Sequence, residues 1–89
     1  MTIVFDPEKR ERTLVARGLD FADAVVVFAG DSRTAIDERH DYPEVRLVTT
    51  GELRGRLVVV VWTQVAGARR IISMRKANDR EQARNRIDR

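Results

Sequence analysis

His40 is the one side chain in this 89-residue chain whose ordinary pKa lies near neutrality. It sits in Arg39-His40-Asp41, a polar stretch before Pro43 that reads as a turn. A histidine there could move protons as general base or acid, with Asp41 or Glu44 to orient it; a hydrogen-bonded turn histidine is the alternative. The remaining candidates are cations suited to phosphate, since a guanidinium forks onto phosphate oxygens and stays charged when partly buried. Arg75 and Lys76 end a strand-like run, Arg46 lies on another, Arg69 and Arg70 follow a glycine turn, and Arg80 opens the last helix. Each has a plainer reading: Arg46 pairs with Glu44 or Asp37, Arg75 is a strand-end charge in solvent, and Arg69 and Arg70 form a solvated hairpin tip. Trp62 could stack a base, or belong to the core with Val58 and Val60. Ser73 has no histidine at a spacing that suggests a nucleophilic serine.

Composition narrows the classes. There is no cysteine and one histidine, so disulfide frameworks, thiolate metal sites and multi-histidine sites are excluded. No metal or other cofactor is expected. Net charge is +3, but residues 69–89 hold eight basic and three acidic side chains, a net +5, against −2 for the other 68 residues. Such end-loaded charge attracts a polyanion or an acidic partner. Fifteen of the seventeen basic residues are arginine, which suits phosphate recognition and is also what a GC-rich genome would give. The N-terminal stretch lacks a basic segment followed by an apolar one, so no secretory signal is expected. The longest apolar run, Leu57 to Trp62, is far short of the about 20 residues a membrane helix needs. A soluble cytoplasmic protein without membrane contact is the expectation.

The elements that must position these residues follow from local pattern. Ile3 to Phe5 suits a short first strand. Asp6-Pro7 reads as cap and first residue of a helix to Arg17, closed by Gly18. Asp20 caps a second helix over Phe21 to Phe28, whose Phe21, Ala24, Val25 and Phe28 follow a core-facing stripe; the run Val25-Val26-Val27 makes a strand the rival. From Thr34 the period becomes two. Strands are expected at Thr34–Glu38, Val45–Thr50, Arg56–Val65 and Arg69–Lys76, with a connection at Gly51–Gly55 and a turn at Ala66-Gly67-Ala68. Strand alternation would put Ile72 and Met74 on one face with Lys76, and Ile71 and Ser73 on the other with Arg75. Asn78 and Glu81 have capping-box spacing for a very polar last helix. The order implies one α+β domain spanning 1–89: two N-terminal helices, a four-stranded antiparallel meander with a possible extra first strand, and a C-terminal helix.

Three stretches in register resemble the BrnT family: FDPEKRERTLVARGLDF, IDERHDYPEVRL and RRIISMRKANDRE. The resemblance covers nearly the whole chain. It implies a RelE-like fold and a ribonuclease toxin that arrests translation and growth. It also implies a cognate BrnA-type antitoxin, a ribbon-helix-helix protein that binds operator DNA, with two toxin chains expected on an antitoxin dimer. Operator DNA would then be reached only through the antitoxin. Relatives often carry Asn where this chain has Thr13, and Lys-His where it has Ala16-Arg17.

Cleavage of this type requires a base for the ribose 2′-OH, an acid for the leaving oxygen and cations for the growing phosphate charge, and no metal. The resemblance puts His40, Arg75, Lys76 and Arg46 forward as catalytic, with Arg75 first for phosphate stabilisation. Arg69, Arg70, Trp62 and Arg80 are the RNA-binding candidates. The alternative is a non-catalytic nucleic-acid- or antitoxin-binding module, an inactive toxin acting as corepressor with its antitoxin.

Overall fold

The computed structural model describes residues 2–38, 41 and 43–87. The chain runs β1 (Ile3–Val4), α1 (Pro7–Arg17), a 3-10 turn (Phe21–Asp23), α2 (Ala24–Ala29), β2 (Ser32–Ile36), β3 (Leu47–Leu53), β4 (Arg56–Val65), β5 (Ala68–Lys76) and α3 (Asp79–Ile87). Helix α1 starts and stops where its capping residues dictate. The Asp6 carboxylate accepts from the Glu8 N–H at 3.0 Å. Gly18 takes φ +69°, and its N–H reaches the Leu14 carbonyl at 2.9 Å.

The second helical segment is not one helix from Phe21. Asp20 accepts from the Ala22 N–H with its side chain, and its carbonyl accepts from the Asp23 N–H, both at 2.9 Å. That i to i+3 bond tightens the first turn to 3-10 geometry, and α-helix begins only at Ala24. The valine run stays helical because Phe21, Ala24 and Val27 are buried together while Val25 and Val26 face outward.

The sheet has five strands in the order β1-β5-β4-β3-β2, the expected antiparallel four with the extra first strand added at one edge. Strands β2 to β5 pair antiparallel, and the short β1 pairs parallel with β5 through Ile3–Arg69 and Val4–Arg70. Strand β2 begins and ends two residues before the expected Thr34–Glu38. Strand β3 starts at Leu47 and runs on through Gly51 to Leu53. Gly51 is therefore a packing glycine: a Cβ there would lie 2.9 Å from Val27 Cγ1. The β3–β4 turn is made by Arg54 and Gly55, at φ +50° and +79°, and the β4–β5 turn by Ala66 and Gly67, at +44° and +79°. Positive φ at both central residues is the hairpin geometry that matches strand twist.

One face of the sheet holds the core. Val58, Val60 and Trp62 of β4, Ile71 and Met74 of β5 and Leu53 of β3 meet Leu19, Phe21, Ala24 and Val27. Simple alternation along β5 fails at one point. Val61 pairs with Ser73 but Trp62 pairs with Ile71, so Ile72 is an extra residue on β5. This bulge swings Ile71 onto the core face with Met74, at 1% and 0% exposure. Beyond it alternation holds: Arg75 lies opposite Val59 and Lys76 opposite Val58, on different faces.

Helix α3 begins with a reciprocal cap. The Asn78 N–H donates to Glu81 Oε1 at 2.9 Å, and the Glu81 N–H to Asn78 Oδ1 at 2.8 Å. It lies against the second sheet face, where Glu81, Arg84 and Asn85 border a cavity with Ala35, Val48 and Thr50.

Candidate functional site

Helix α1 carries Lys9, Arg12, Thr13 and Ala16 at i, i+3, i+4 and i+7. That spacing sets them on one face. This face and Arg17 form one wall of an open cleft of about 460 Å³. The opposite side comes from the second sheet face and its margin: Asp37, Arg46, Val61, Ile72 and Ser73. The bulge matters here, because it puts Ile71 in the core and leaves Ile72 beside Ser73 in the cleft.

Two interactions hold α1 in place. Arg10 grips Asp20 with two bonds of 2.8 Å, from Nε and Nη2. The Arg10 bonds, with the Ala22 N–H next in effect, push the Asp20 carboxyl down to about 2. Arg17 Nη1 donates to the Met74 carbonyl at 2.9 Å. Among the described residues, four cations, Lys9, Arg12, Arg17 and Arg46, border the cleft with one carboxylate, Asp37, which is 8% exposed. The Asp37 N–H donates to the Arg46 carbonyl at 2.8 Å, extending the β2–β3 ladder. Arg46 also pairs with Glu44 at 3.3 Å. A cleft with this balance draws an anion, and its arginines can hold phosphate oxygens.

A second cavity adjoins the first at Asp37 and is bordered by Ile36, Glu38, Val48, Arg75 and Glu81. Here Arg75 is held by Glu81: Nη1 to Oε1 at 2.7 Å and Nη2 to Oε2 at 2.8 Å. Those bonds, the largest cause, push the Glu81 carboxyl down to about 2.

The comparisons with known proteins bear on this chemistry. A model of the ribonuclease toxin BrnT, of type II toxin–antitoxin systems, matches residues 5–81. The chain belongs to the BrnT family. Among curated proteins, none matches it. Membership of a type II toxin–antitoxin family implies an antitoxin protein as partner. Among the described residues no helix is long and apolar enough to cross a membrane.

The candidates singled out from sequence separate into groups. Arg46 borders the basic cleft, and Arg75 the adjoining cavity. Lys76 follows Arg75 but lies on the other face, opposite Val58. Trp62 is a core residue, 5% exposed, with its indole N–H on Thr49 Oγ1 at 2.8 Å and its ring edge-on to Phe28 at 5.5 Å. The ring is thus taken up by core packing, the plainer of the two readings of Trp62. The Arg69 guanidinium sits 4.3 Å from the Phe28 ring centre and 4.6 Å from that of Trp62. It covers the core aromatics by cation–π contact and does not stand out as a hairpin-tip charge. Arg70 and Arg80 are exposed, the first at the β4–β5 hairpin and the second in the first turn of α3. His40 and Arg39 lie outside the described residues.

Lys9, Arg12 and Arg17 were not among those candidates. The signal was present in the helical spacing of Lys9, Arg12, Thr13 and Ala16, which puts two cations on a face with little apolar content. Ala16 and Arg17, the pair at which the sequence resemblance is least close, both border the cleft.

Proposed function

We propose that the chain is an endoribonuclease that cuts RNA without a metal and so arrests translation and growth. The observation that carries this reading is the convergence of Lys9, Arg12, Arg17 and Arg46 on one cleft around a nearly buried Asp37. The cations bind the RNA backbone and offset charge that grows on the scissile phosphate. Arg17 supplies a guanidinium at the cleft wall. His40, a few residues from Asp37 and Arg46 in sequence, is the proton-transfer candidate. Arg75 extends the cationic surface into the adjoining cavity.

The antitoxin in this reading is a BrnA-type ribbon-helix-helix protein, with two toxin chains on its dimer and operator DNA contacted through it alone. A basic cleft and a net charge of +3 suit an acidic arm of such a partner. The test is induction of the chain in cells, with and without the antitoxin, followed by growth and RNA integrity. Growth arrest with RNA cleavage, abolished by Arg46→Ala and by His40→Ala in folded protein, supports the reading. Intact growth and RNA on induction of the wild type would leave a corepressor that acts only by binding its antitoxin.

A further inference from the structure

Glu81 serves two partners with one carboxylate. Oε1 accepts from the Asn78 N–H at 2.9 Å and from Arg75 Nη1 at 2.7 Å, while Oε2 accepts from Arg75 Nη2 at 2.8 Å. The Glu81 N–H is held in turn by Asn78 Oδ1 at 2.8 Å. The helix start therefore fixes the carboxylate, and the carboxylate fixes the plane of the guanidinium. Arginine is long and has many rotamers, so a substrate that had to order it would bind and react less well. Arg75 stands on the same sheet face as Ser73 of the basic cleft, two residues or about 7 Å further along β5. The cavity it shares with Glu81 meets that cleft at Asp37.

We propose that Glu81 is a positioning residue for the RNA site: it holds the Arg75 guanidinium on the sheet face where the groove continues past Asp37, oriented for a substrate phosphate. This rests on the ribonuclease reading. The contrary possibility is that Glu81 competes with RNA for Arg75. The two differ in sign, because removing a negative charge from a polyanion site by itself tightens binding.

The experiment measures kcat and KM on a single-stranded RNA, the Kd for an uncleavable 2′-deoxy analogue, and the Arg75 guanidinium NMR signal. It compares wild type with Glu81→Gln, Glu81→Asp and Asp79→Asn, with circular dichroism to confirm folding. Glu81→Gln keeps an acceptor for the Asn78 N–H but loses the charge. Glu81→Asp keeps the charge and withdraws it by one methylene, and decides the matter should Glu81→Gln not fold. The expected result is a fall in kcat/KM of about tenfold in both, weaker analogue binding, and a motionally averaged Arg75 signal. Asp79→Asn removes one charge from the same helical turn but keeps the wild-type kcat/KM within about twofold and a rigid Arg75 signal. Cleavage or binding by Glu81→Gln equal to or stronger than that of Asp79→Asn would overturn the proposal. Should the wild type cut no RNA, the ribonuclease reading fails, and analogue affinity with the Arg75 signal still decides the role of Glu81.

Discussion

Arg17 donates to the main-chain carbonyl of Met74 at 2.9 Å, joining positions 57 residues apart. Strand β1 pairs with β5 only at Arg69 and Arg70, so it leaves the rest of that edge to α1. The bond thus ties the cationic wall of the cleft to the sheet. Arg17→Ala is expected to cost about 1–2 kcal/mol, the lower range for a bond from a charged donor that is partly exposed. A urea midpoint shifted down with unchanged slope checks this. An unchanged midpoint would mean that α1 is held by Arg10–Asp20 and packing alone.

Trp62→Phe separates core from RNA contact. The substitution removes the N–H that Thr49 Oγ1 accepts, and Thr49 Oγ1 also shares a 2.7 Å bond with Thr34 Oγ1. A loss of about 1–3 kcal/mol is expected from the smaller ring and the missing donor, with RNA affinity unchanged. Reduced affinity in the folded variant would return Trp62 to the binding surface.

How much of this was legible in the sequence depends on whether the signal was local. Asp6-Pro7 with Gly18, Asn78 with Glu81, and the apolar run from Arg56 each state their element within a few residues, and α1, α3 and β4 run as those signals say. The parallel pairing of β1 was not readable, because two residues carry no record of their partner. Nor was the bulge opposite Val61 and Trp62, which is a mismatch between strands and invisible in either one. It moved Ile71 to the core. The β3 boundary was missed because Gly51 looks like a turn residue, yet it is small for the sake of Val27. For the site, residue types were visible but neighbours were not: Arg46 shares a cleft with α1, Arg75 meets Glu81, and Arg69 meets two aromatic rings only through the fold.

Two substitutions, one in strand β3 and one in the β4–β5 turn, should act in opposite directions. Gly51→Ala would bring a Cβ to 2.9 Å from Val27 Cγ1, 3.0 Å from Ser32 Cβ and 3.3 Å from the Asp31 carbonyl, backbone that does not yield readily. A loss of about 1–3 kcal/mol is expected. Ala66 has φ +44°, which asparagine tolerates better than alanine, so Ala66→Asn should gain about 0.5–1 kcal/mol. Thermal unfolding of both variants checks the pair of signs.

Acid should unfold the protein through two carboxylates. Asp20 and Glu81 are each pushed down to about 2, first by the arginine that each binds. A folded-state pKa below the unfolded value gives stability that is present above the unfolded pKa. It is lost as pH falls through the folded one. The window is therefore from about pH 4.5 down to about 2. Urea midpoints measured across that window should fall in wild type and fall less steeply in Asp20→Asn/Glu81→Gln. Equal slopes would remove these two pairs as the cause.

The most direct test is cleavage of an end-labelled single-stranded RNA by the purified protein in chelator, beside Lys9→Ala/Arg12→Ala and Arg46→Ala. The expected result is discrete cleavage by wild type that weakens as salt rises, with each variant slower by about tenfold or more and still folded. Cleavage by the variants at the wild-type rate would show that the cleft between α1 and the sheet is not where RNA is cut.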